Sequence, residues 1–362
     1  MPKISIILPC YNVSKYLDQC FECIFAQTFD DFEVIAVNDA STDDTLQRLR
    51  PFAEKDPRVI IVDKAENGGP SATRNAGMDA AKGEYIACID PDDHIDSEYL
   101  AVLYDAAVKT GAELVRCLYY NESADGKKTP VMPDIAEQTL DRSEIERRYL
   151  KPLLGVSPER IVDAVRGCEA HIIMLVSVWG CLYKTSVIRE HNLAFDTSCR
   201  NSEDMVFNIV YSLHTNKMHI VPKALYYYVV NEDSLWRSLH RDGVKFMHQR
   251  QLSWSAKKAV CDRYGLGEDY RDCYRGSVAL ASVQTSLIMT GKYGPGLSAQ
   301  YCEIKSMLRL AIVRESVGRV PLKGLPLSLK IPLFCSKRNM PFLLWLLCRM
   351  ANLLGKSPYG NY

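Results

Sequence analysis

The sequence lacks several features that would each have pointed to a familiar class of protein. It has no excess of charge, because 44 lysine and arginine residues balance 44 aspartate and glutamate residues, and it therefore gives no indication of a nucleic-acid partner. An apolar run at residues 340–348 is too short to cross a bilayer, which takes about 20 residues in a helix. No Gly-x-Gly-x-x-Gly motif follows a strand pattern, which disfavours a nicotinamide or flavin enzyme.

Cysteine is abundant, but it does not form a disulfide or zinc pattern. The 13 cysteines are scattered and odd in number, which suits a reducing compartment. Cys20 and Cys23 have zinc-like or redox spacing but lie in an apolar helical pattern without a second pair, so we interpret them as small buried side chains. The sequence opens directly on a strand pattern with no visible signal peptide, and we therefore expect a cytoplasmic protein.

Four short apolar runs in the first 90 residues are typical of buried parallel strands, because they are almost continuously apolar and rich in β-branched residues. They cover residues 3–9, 32–38, 58–62 and 84–89. Helical patterns lie between them at residues 15–25, 43–54 and 71–81. Ser41 or Thr42 is the expected N-cap of the second helix. The alternation predicts a doubly wound, mostly parallel α/β sheet with a Rossmann-like nucleotide-binding half.

Polar residues follow each of these strands at the point where it should end. They lie at residues 9–12, 38–43, 67–74 and 90–93. Because the carboxyl ends of parallel strands meet at one edge of a sheet, and ligands bind outside that edge, we expect a binding site there. Each segment alone is also typical of an ordinary turn, since Asn, Asp, Gly and Pro are common turn residues.

Three carboxylates crowd the last of these segments, Asp90-Pro91-Asp92-Asp93. Carboxylates this close raise one another's pKa unless a cation lies between them, and a hard divalent ion such as Mn2+ or Mg2+ takes oxygen ligands and bridges to phosphates. The alternative is an acidic N-terminus of a helix expected over residues 97–110, where acidic side chains favour the positive end of the helix dipole.

Four blocks resemble, in order and spacing, the successive motifs of the family-two glycosyltransferases of GT-A fold. They are Pro9-Cys10-Tyr11-Asn12, Val37-Asn38-Asp39-Ala40-Ser41-Thr42-Asp43, Asn67-Gly68-Gly69 with Arg74, and Gly83-Glu84-Tyr85 with Asp90-Pro91-Asp92-Asp93. The resemblance covers roughly residues 1–120. Ala40 departs from it, because the family usually carries glycine there, and we expect the turn after Asp39 to avoid a strongly left-handed backbone.

The resemblance implies a UDP-sugar donor and assigns residues to it. Asp39 matches the acid that accepts the imide N–H of uracil. Tyr11 would line the base pocket, and Pro9 and Asn12 of the same block would also contact the donor. Arg74 matches an arginine near the nucleotide, and its planar guanidinium suits a base carbonyl or a phosphate.

The resemblance also implies a metal cofactor, Mn2+ or Mg2+. Asp90 and Asp92 match the two acids of the metal motif. Asp92 would ligate the ion, whereas Asp90 would hold the ribose or a metal-bound water. Asp93 would support these acids from behind or contact the acceptor.

A further block of the resemblance lies at residues 201–207, in the Glu-Asp pair Glu203 and Asp204. It implies Asp204 as the general base for the acceptor hydroxyl and Glu203 as its neighbour, in a single displacement that inverts the anomeric carbon. The alternative is an ordinary helix N-terminus, with Ser202 as the cap and the two acids in the first turn.

The sequence has fewer motif residues for binding the acceptor than for binding the donor. Trp179, Trp236 and the tyrosines at 226–228 could form an aromatic platform for the acceptor or belong to the core. We expect the acceptor to be a growing surface glycan or a lipid-linked oligosaccharide. The alternatives are a sugar-phosphate nucleotidyltransferase, which should carry a Gly-rich loop with Arg and Lys after the first strand, and a non-catalytic nucleotide-sugar-binding protein.

We expect three segments along the chain. They are a nucleotide-sugar-binding half at residues 1–120, an acceptor-side half at 121–240 and a helical accessory region at 241–362. Residues 119–168 are polar and indicate loops.

The charged residues at the end of the sequence are all basic. No acidic residue follows Glu315, whereas seven basic residues lie between Arg319 and Lys356. Together with the apolar run this predicts that residues 319–356 rest on the inner face of an anionic cytoplasmic membrane. The alternative is a terminal helix packed on the enzyme or on a second subunit, as in a homodimer.

Overall fold

The computed structural model describes residues 1–131, 134–161, 176–199, 202–230, 242–292 and 294–355. The chain divides into two compact units. The first comprises Met1–Leu150 and Ile172–Asn231, and the second comprises Lys151–His171 and Glu232–Tyr362. Trp236, Asn201 and Lys356, which the sequence singled out, lie outside the described residues.

Ten strands of the described residues form one sheet in the first unit. They are β1 (Ile4–Cys10), β2 (Phe32–Asn38), β3 (Val59–Asp63), β4 (Tyr85–Cys88), β5 (His94–Ile95), β6 (Leu114–Glu122), β7 (Lys128–Val131), β8 (Gln138–Asp141), β9 (Cys181–Lys184) and β10 (Lys217–Val229). The order is β3-β2-β1-β4-β9-β6-β10-β5, with β7 paired to β6 and β8 paired to β10.

The first four strands pair in parallel, with β1 between β2 and β4, and β3 outside β2. Next to them β9 runs antiparallel to both β4 and β6, and β10 returns parallel to β6. The predicted α/β class, with its mostly parallel sheet, is therefore confirmed.

Helices cover the sheet in the first unit and make up most of the described residues of the second. They include α1 (Leu17–Phe25), α2 (Thr45–Lys55), α3 (Gly69–Ala80), α4 (Tyr99–Thr110), α5 (Arg142–Ile145), α6 (Thr185–Glu190), α7 (Glu203–Leu213), α8 (Gly243–Arg263), α9 (Glu268–Thr290), α10 (Leu297–Arg309), α11 (Ala311–Arg319), α12 (Leu327–Lys337) and α13 (Pro341–Leu353). None of the described helices is long and apolar enough to span a bilayer.

The core of the first unit forms because its central strands are apolar on both faces. All seven residues of β2 are buried, as expected for a strand covered by helices on both sides. Phe21 of α1 is fully buried and stacks on Phe52 of α2, with ring centroids 4.0 Å apart. Burial of one such side chain contributes about 1.5–3 kcal/mol.

Helix α3 lies close to β1 because Gly77 has no side chain. A β-carbon at this position would come within 2.5 Å of the Cγ2 atom of Ile7, which is closer than van der Waals contact allows. This close approach fixes the height of α3 above the sheet, and with it the position of Arg74 one turn earlier.

Two local predictions are corrected. Helix α2 begins at Thr45 with Asp44 at the N-cap position, not at Ser41 or Thr42, because those two residues hydrogen bond to Asn12 instead. The segment at 119–168, which the sequence indicated as loops, supplies β7 and β8 to the sheet. Three of the four residues of β7 are exposed, so that edge strand has no apolar run to reveal it.

The second unit is built around α9. Asn352 of α13 donates hydrogen bonds to the Leu287 carbonyl at 2.8 Å and to Thr290 Oγ1 at 3.0 Å, which fastens α13 to α9. Arg275 of α9, nearly buried, forms ion pairs with acids that include Glu268 at 2.7 Å and Glu315 at 2.6 Å. The predicted helical accessory region is confirmed.

Candidate active site

The four predicted strand-end segments meet at the carboxyl edge of the parallel strands. Asp39 follows β2 and accepts hydrogen bonds from the backbone N–H groups of Gly68 at 3.0 Å and Gly69 at 2.8 Å, and it is paired with Lys64. Burial raises the pKa of Asp39, but these hydrogen bonds and the Lys64 ammonium outweigh burial, so the net pKa is lowered. Asp39 is therefore an ionised acid that links the end of β2 to the start of α3.

The backbone after Asp39 is left-handed, because Ala40 has φ +53°. The expectation that alanine would avoid this conformation is wrong. Hydrogen bonds on either side hold the turn: the N–H of Asp39 donates to the Cys10 carbonyl at 2.8 Å, and the N–H of Ser41 donates to Asn38 Oδ1 at 3.3 Å. The missing glycine therefore costs stability, since a left-handed alanine is disfavoured by roughly 1–2 kcal/mol, but it does not change the turn.

Pro9, Tyr11 and Asn12, at the end of β1, differ in their contacts and in their exposure. The Asn12 Oδ1 atom accepts hydrogen bonds from the N–H groups of Thr42 at 2.8 Å and Asp43 at 3.3 Å, which joins the loop after β1 to the loop after β2. Tyr11 is 48% exposed, and Pro9 lies within β1. Asn12 is also exposed, but its Oδ1 atom is engaged by these backbone N–H groups, which leaves the Tyr11 ring as the exposed aromatic surface of this segment.

Arg74 of α3 contacts three acids from distant parts of the chain. Its Nη2 donates to Asp90 Oδ1 at 3.0 Å, and its Nη1 donates to Asp204 Oδ1 at 3.1 Å and to Glu203 Oε1 at 3.4 Å. The side chain is nearly buried, and its Nε has no hydrogen-bond partner among the described residues. Burial would lower the pKa of Arg74, but the carboxylates of Asp204 and Asp90 raise it, so the guanidinium stays charged.

Asp204 lies in the first turn of α7, after Ser202 at the N-cap position. Its Oδ1 accepts from Arg74, and its Oδ2 accepts from the backbone N–H of Val178 at 3.1 Å. Burial raises the pKa of Asp204 to about 6 although the Arg74 guanidinium opposes that rise, and Glu203 and Asp90 add to it. A carboxylate near neutrality is well matched to general-base work.

Asp93 points into the sheet. It is 3% exposed and accepts hydrogen bonds from the Tyr226 hydroxyl and from the Val229 N–H, both at 2.8 Å. Burial raises its pKa well above the usual range, and the charges of Asp90 and Asp92 add to this. The predicted acceptor contact is not supported, because the buried carboxyl already binds β10. Asp93 instead anchors the acidic loop from behind.

Asp90 and Asp92 remain partly accessible at this edge. The described residues contain no group of three or more metal-ligating side chains. Mg2+, however, is usually bound by one or two carboxylates together with substrate phosphates. The pair therefore fits a metal that arrives with a diphosphate, but not a site complete in the protein alone.

Trp179 belongs to a stack of aromatic rings beside this edge. Its ring lies parallel to that of Tyr226 at 4.5 Å and to that of Tyr228 at 5.6 Å, and it meets Tyr119 edge-on at 4.8 Å. Trp179 and Tyr228 are half-buried, so part of the stack faces solvent. The stack is thus partly core and partly exposed, and its role as an acceptor platform stays a prediction.

Sequence reasoning missed two contributors. Lys64 pairs with Asp39, and the only signal for it was its place after the end of β3. The Val178 N–H binds the candidate base through the backbone, so no side-chain pattern could have revealed it.

Known proteins of one family are similar to this chain in sequence. The profile described as Glycosyl transferase family 2 matches residues 5–161. Glycosyltransferase EpsJ of Bacillus subtilis is 31% identical over 325 residues, which are 89% of this chain and 88% of EpsJ. Poly(ribitol-phosphate) beta-N-acetylglucosaminyltransferase TarS of Staphylococcus aureus is 26% identical over 239 residues, 64% of this chain and 36% of TarS.

Solved structures are similar in fold over almost the whole chain. The crystal structure of TarS 1-349 in complex with UDP-GlcNAc superposes with a TM-score of 0.62 and 18% identity, and covers 98% of this chain and 92% of that one. Mannosyltransferase PcManGT from Pyrobaculum calidifontis, in complex with GDP-Man and Mn2+, superposes with a TM-score of 0.50 and 15% identity, over 98% and 88% of the two chains.

Proposed function

The chain belongs to glycosyl transferase family 2, and from that premise we propose that it transfers a sugar from a UDP-sugar to a hydroxyl of a growing cell-surface polymer. The observation that carries the proposal is the Arg74 guanidinium, which joins Asp90 of the donor edge to Asp204 of α7. TarS supports the substrate classes, since its name gives a poly(ribitol-phosphate) acceptor and its structure holds UDP-GlcNAc.

The donor would lie across the carboxyl edge of β1 to β4. Tyr11, exposed beside Asp39, is suited to stack on the uracil ring, and Asp39 is suited to accept its imide N–H. A carboxylate offers about four lone-pair sites, three of which are used by Lys64, Gly68 and Gly69. Arg74 would lie near the nucleotide in the role that the family resemblance implies, because a guanidinium suits a phosphate or a base carbonyl.

Asp204 would act as the general base. Its carboxylate would accept the proton of the acceptor hydroxyl while that oxygen attacks the anomeric carbon and the bond to the diphosphate breaks. The Val178 N–H and the Arg74 guanidinium orient the carboxylate, and Glu203 would position the acceptor or the start of α7. This single displacement inverts the configuration at the anomeric carbon and requires no covalent intermediate.

The acids Asp90 and Asp92 would hold Mn2+ or Mg2+ together with the donor diphosphate, in the roles that the family resemblance implies. When bound, the ion would act as a Lewis acid on the leaving diphosphate. On the acceptor side, the exposed part of the Trp179 stack would support a sugar ring. A nucleotidyltransferase is disfavoured both by the family assignment and by Pro9-Cys10-Tyr11-Asn12, which is not the Gly-rich loop of that class.

Two measurements test the proposal. Isothermal titration with UDP should show tighter binding with Mn2+ than without it, and Asp92→Asn should lose that difference. If UDP binding is indifferent to the ion, the roles of Asp90 and Asp92 are wrong. Release of UDP from a panel of UDP-sugars should stop in Asp204→Asn while UDP affinity is kept. The exposed Asp105 of α4 gives the matched control Asp105→Asn, and retained turnover in Asp204→Asn would remove it from the mechanism.

A further inference from the structure

Helix α12 exposes an apolar stripe. Leu327 is 70% exposed, and Ile331 and Phe334 are each 43% exposed. These positions are spaced by four and three residues, so they lie on one face of the helix. The opposite side packs inward, where Leu329 and Leu333 are almost fully buried. The helix therefore carries large apolar groups on its solvent side as well as on its core side.

Helix α13 has a second stripe of the same kind. Phe342 is 60% exposed, Met350 is 49% exposed and Leu353 is 76% exposed, at spacings of eight and three residues that again mark one face. The inward side holds Leu344 and Cys348, which are buried. Tertiary contacts of α13 thus use one face and leave the other open in the second unit.

The charged residues of α12 and α13 themselves are all basic. Lys330, Lys337 and Arg338 are exposed on or beside the apolar face of α12, and Arg349 lies within the stripe of α13 between Phe342 and Leu353. No acidic residue occurs anywhere in residues 316–362. Lysine and arginine therefore border the exposed apolar side chains, and no acid of the same segment pairs with these basic residues. Such a surface is complementary to a partner with an apolar interior and a negatively charged exterior.

We infer that the exposed faces of α12 and α13 form a docking surface for an anionic lipid bilayer. Phenylalanine, leucine and isoleucine insert below the headgroups, and the basic side chains contact the lipid phosphates. Because no described helix is both long and apolar enough to span a bilayer, the helices lie on the surface rather than across it. A large protein partner is less complementary, since lysine is depleted in protein interfaces.

The test is co-sedimentation of the full chain with vesicles, because it reads binding and not sugar transfer and so is independent of the proposed function. Vesicles of phosphatidylcholine with about one third phosphatidylglycerol should bind the protein, and pure phosphatidylcholine vesicles should bind it far more weakly. Reversal of three charges, in Lys330→Glu with Lys337→Glu and Arg338→Glu, should weaken binding on the order of a hundredfold. The pair Phe334→Ser and Phe342→Ser should weaken it at least about tenfold.

Matched controls separate the surface from general effects. Lys245→Glu changes an exposed lysine on α8, and Leu297→Ser changes a 53% exposed leucine on α10; both should bind like the wild type. Circular dichroism and thermal melting check that each variant is folded. Absence of binding to anionic vesicles, or equal loss in the controls, would overturn the inference. So would concentration-dependent dimerisation in sedimentation velocity that the variants abolish without any lipid binding, because the faces would then join two copies.

Discussion

Arg74 should set the pH range in which the enzyme works. Burial raises the pKa of Asp204 to about 6, and the guanidinium, 3.1 Å away, opposes that rise. Methionine at position 74 would keep much of the apolar packing of the side chain but remove the opposing charge. An opposite charge this close shifts a carboxyl pKa by about 1–3 units. In Arg74→Met the pKa of Asp204 should therefore rise to between about 7 and about 9.

The consequence for activity follows from the need for an ionised base. The acid limb of the kcat/KM profile should move to higher pH by the same amount. For a shift of about two units, the ionised share of Asp204 at pH 7 falls from about nine tenths to about one tenth. Activity near pH 7 should then drop about tenfold from this cause alone, with recovery toward about pH 9.

The assay is the initial rate of UDP release at limiting donor, followed across the pH range at a fixed metal concentration. Arg74→Lys keeps the charge and should keep the midpoint of the acid limb, although its rate falls because lysine lacks the planar fork. Arg58→Met removes a partly buried arginine that pairs with Asp56 elsewhere in the first unit, and it should leave the profile unchanged. If Arg74→Met lowers the rate equally at every pH, the guanidinium does not control the ionisation of the base.

Two further predictions concern stability. Ala40→Gly should raise the free energy of unfolding by up to about 1 kcal/mol in urea titrations, because relief of the left-handed strain exceeds the extra freedom that glycine has in the unfolded chain; a loss of stability would contradict the strain. Burial lowers the pKa of Lys257 to about 8, so the unfolded state binds more protons between about pH 8 and about 10.5 and wild-type stability rises with pH there. Lys257→Met should thus be more stable than the wild type by about 2 kcal/mol near pH 7, after allowance for the lost hydrogen bond to the Leu154 carbonyl. That advantage should shrink toward about pH 10, and a difference independent of pH would show that the buried ammonium is not the cause.

The parallel half of the sheet was predictable because its signals are local. Each of β1, β2 and β3 is a short apolar run next to a helix of matching periodicity, and the polar residues at their ends met at one edge as the strand order requires. Several strands beyond β4 carry a weaker signal. β5 has only two residues, and β10 is interrupted by register shifts between Val221 and Tyr226, so length does not identify the first and period does not identify the second.

The acids of the candidate site could be predicted from the sequence, but the contacts between them could not. Asp39, Asp90 and Asp92 could be named because they stand where strands end. The hydrogen bond between Arg74 and Asp204 joins residues 130 positions apart, and only the folded chain creates it. Ala40 shows the opposite case. The residue preference of alanine predicted one backbone conformation, but three hydrogen bonds of the surrounding loops stabilise another.

Charge balance around Arg74 gives the strongest physical argument for a cation at this edge. One guanidinium contacts the carboxyls of Asp90, Glu203 and Asp204, so it can neutralise the equivalent of one charge among three. A donor diphosphate would add negative charge to the same edge, and it would be repelled unless positive charge entered with it. Asp92, half-buried two residues after Asp90, adds a further carboxylate that can share an incoming ion with the diphosphate. From the charges of these side chains, independently of any family resemblance, we therefore predict a donor affinity that depends on Mn2+ or Mg2+.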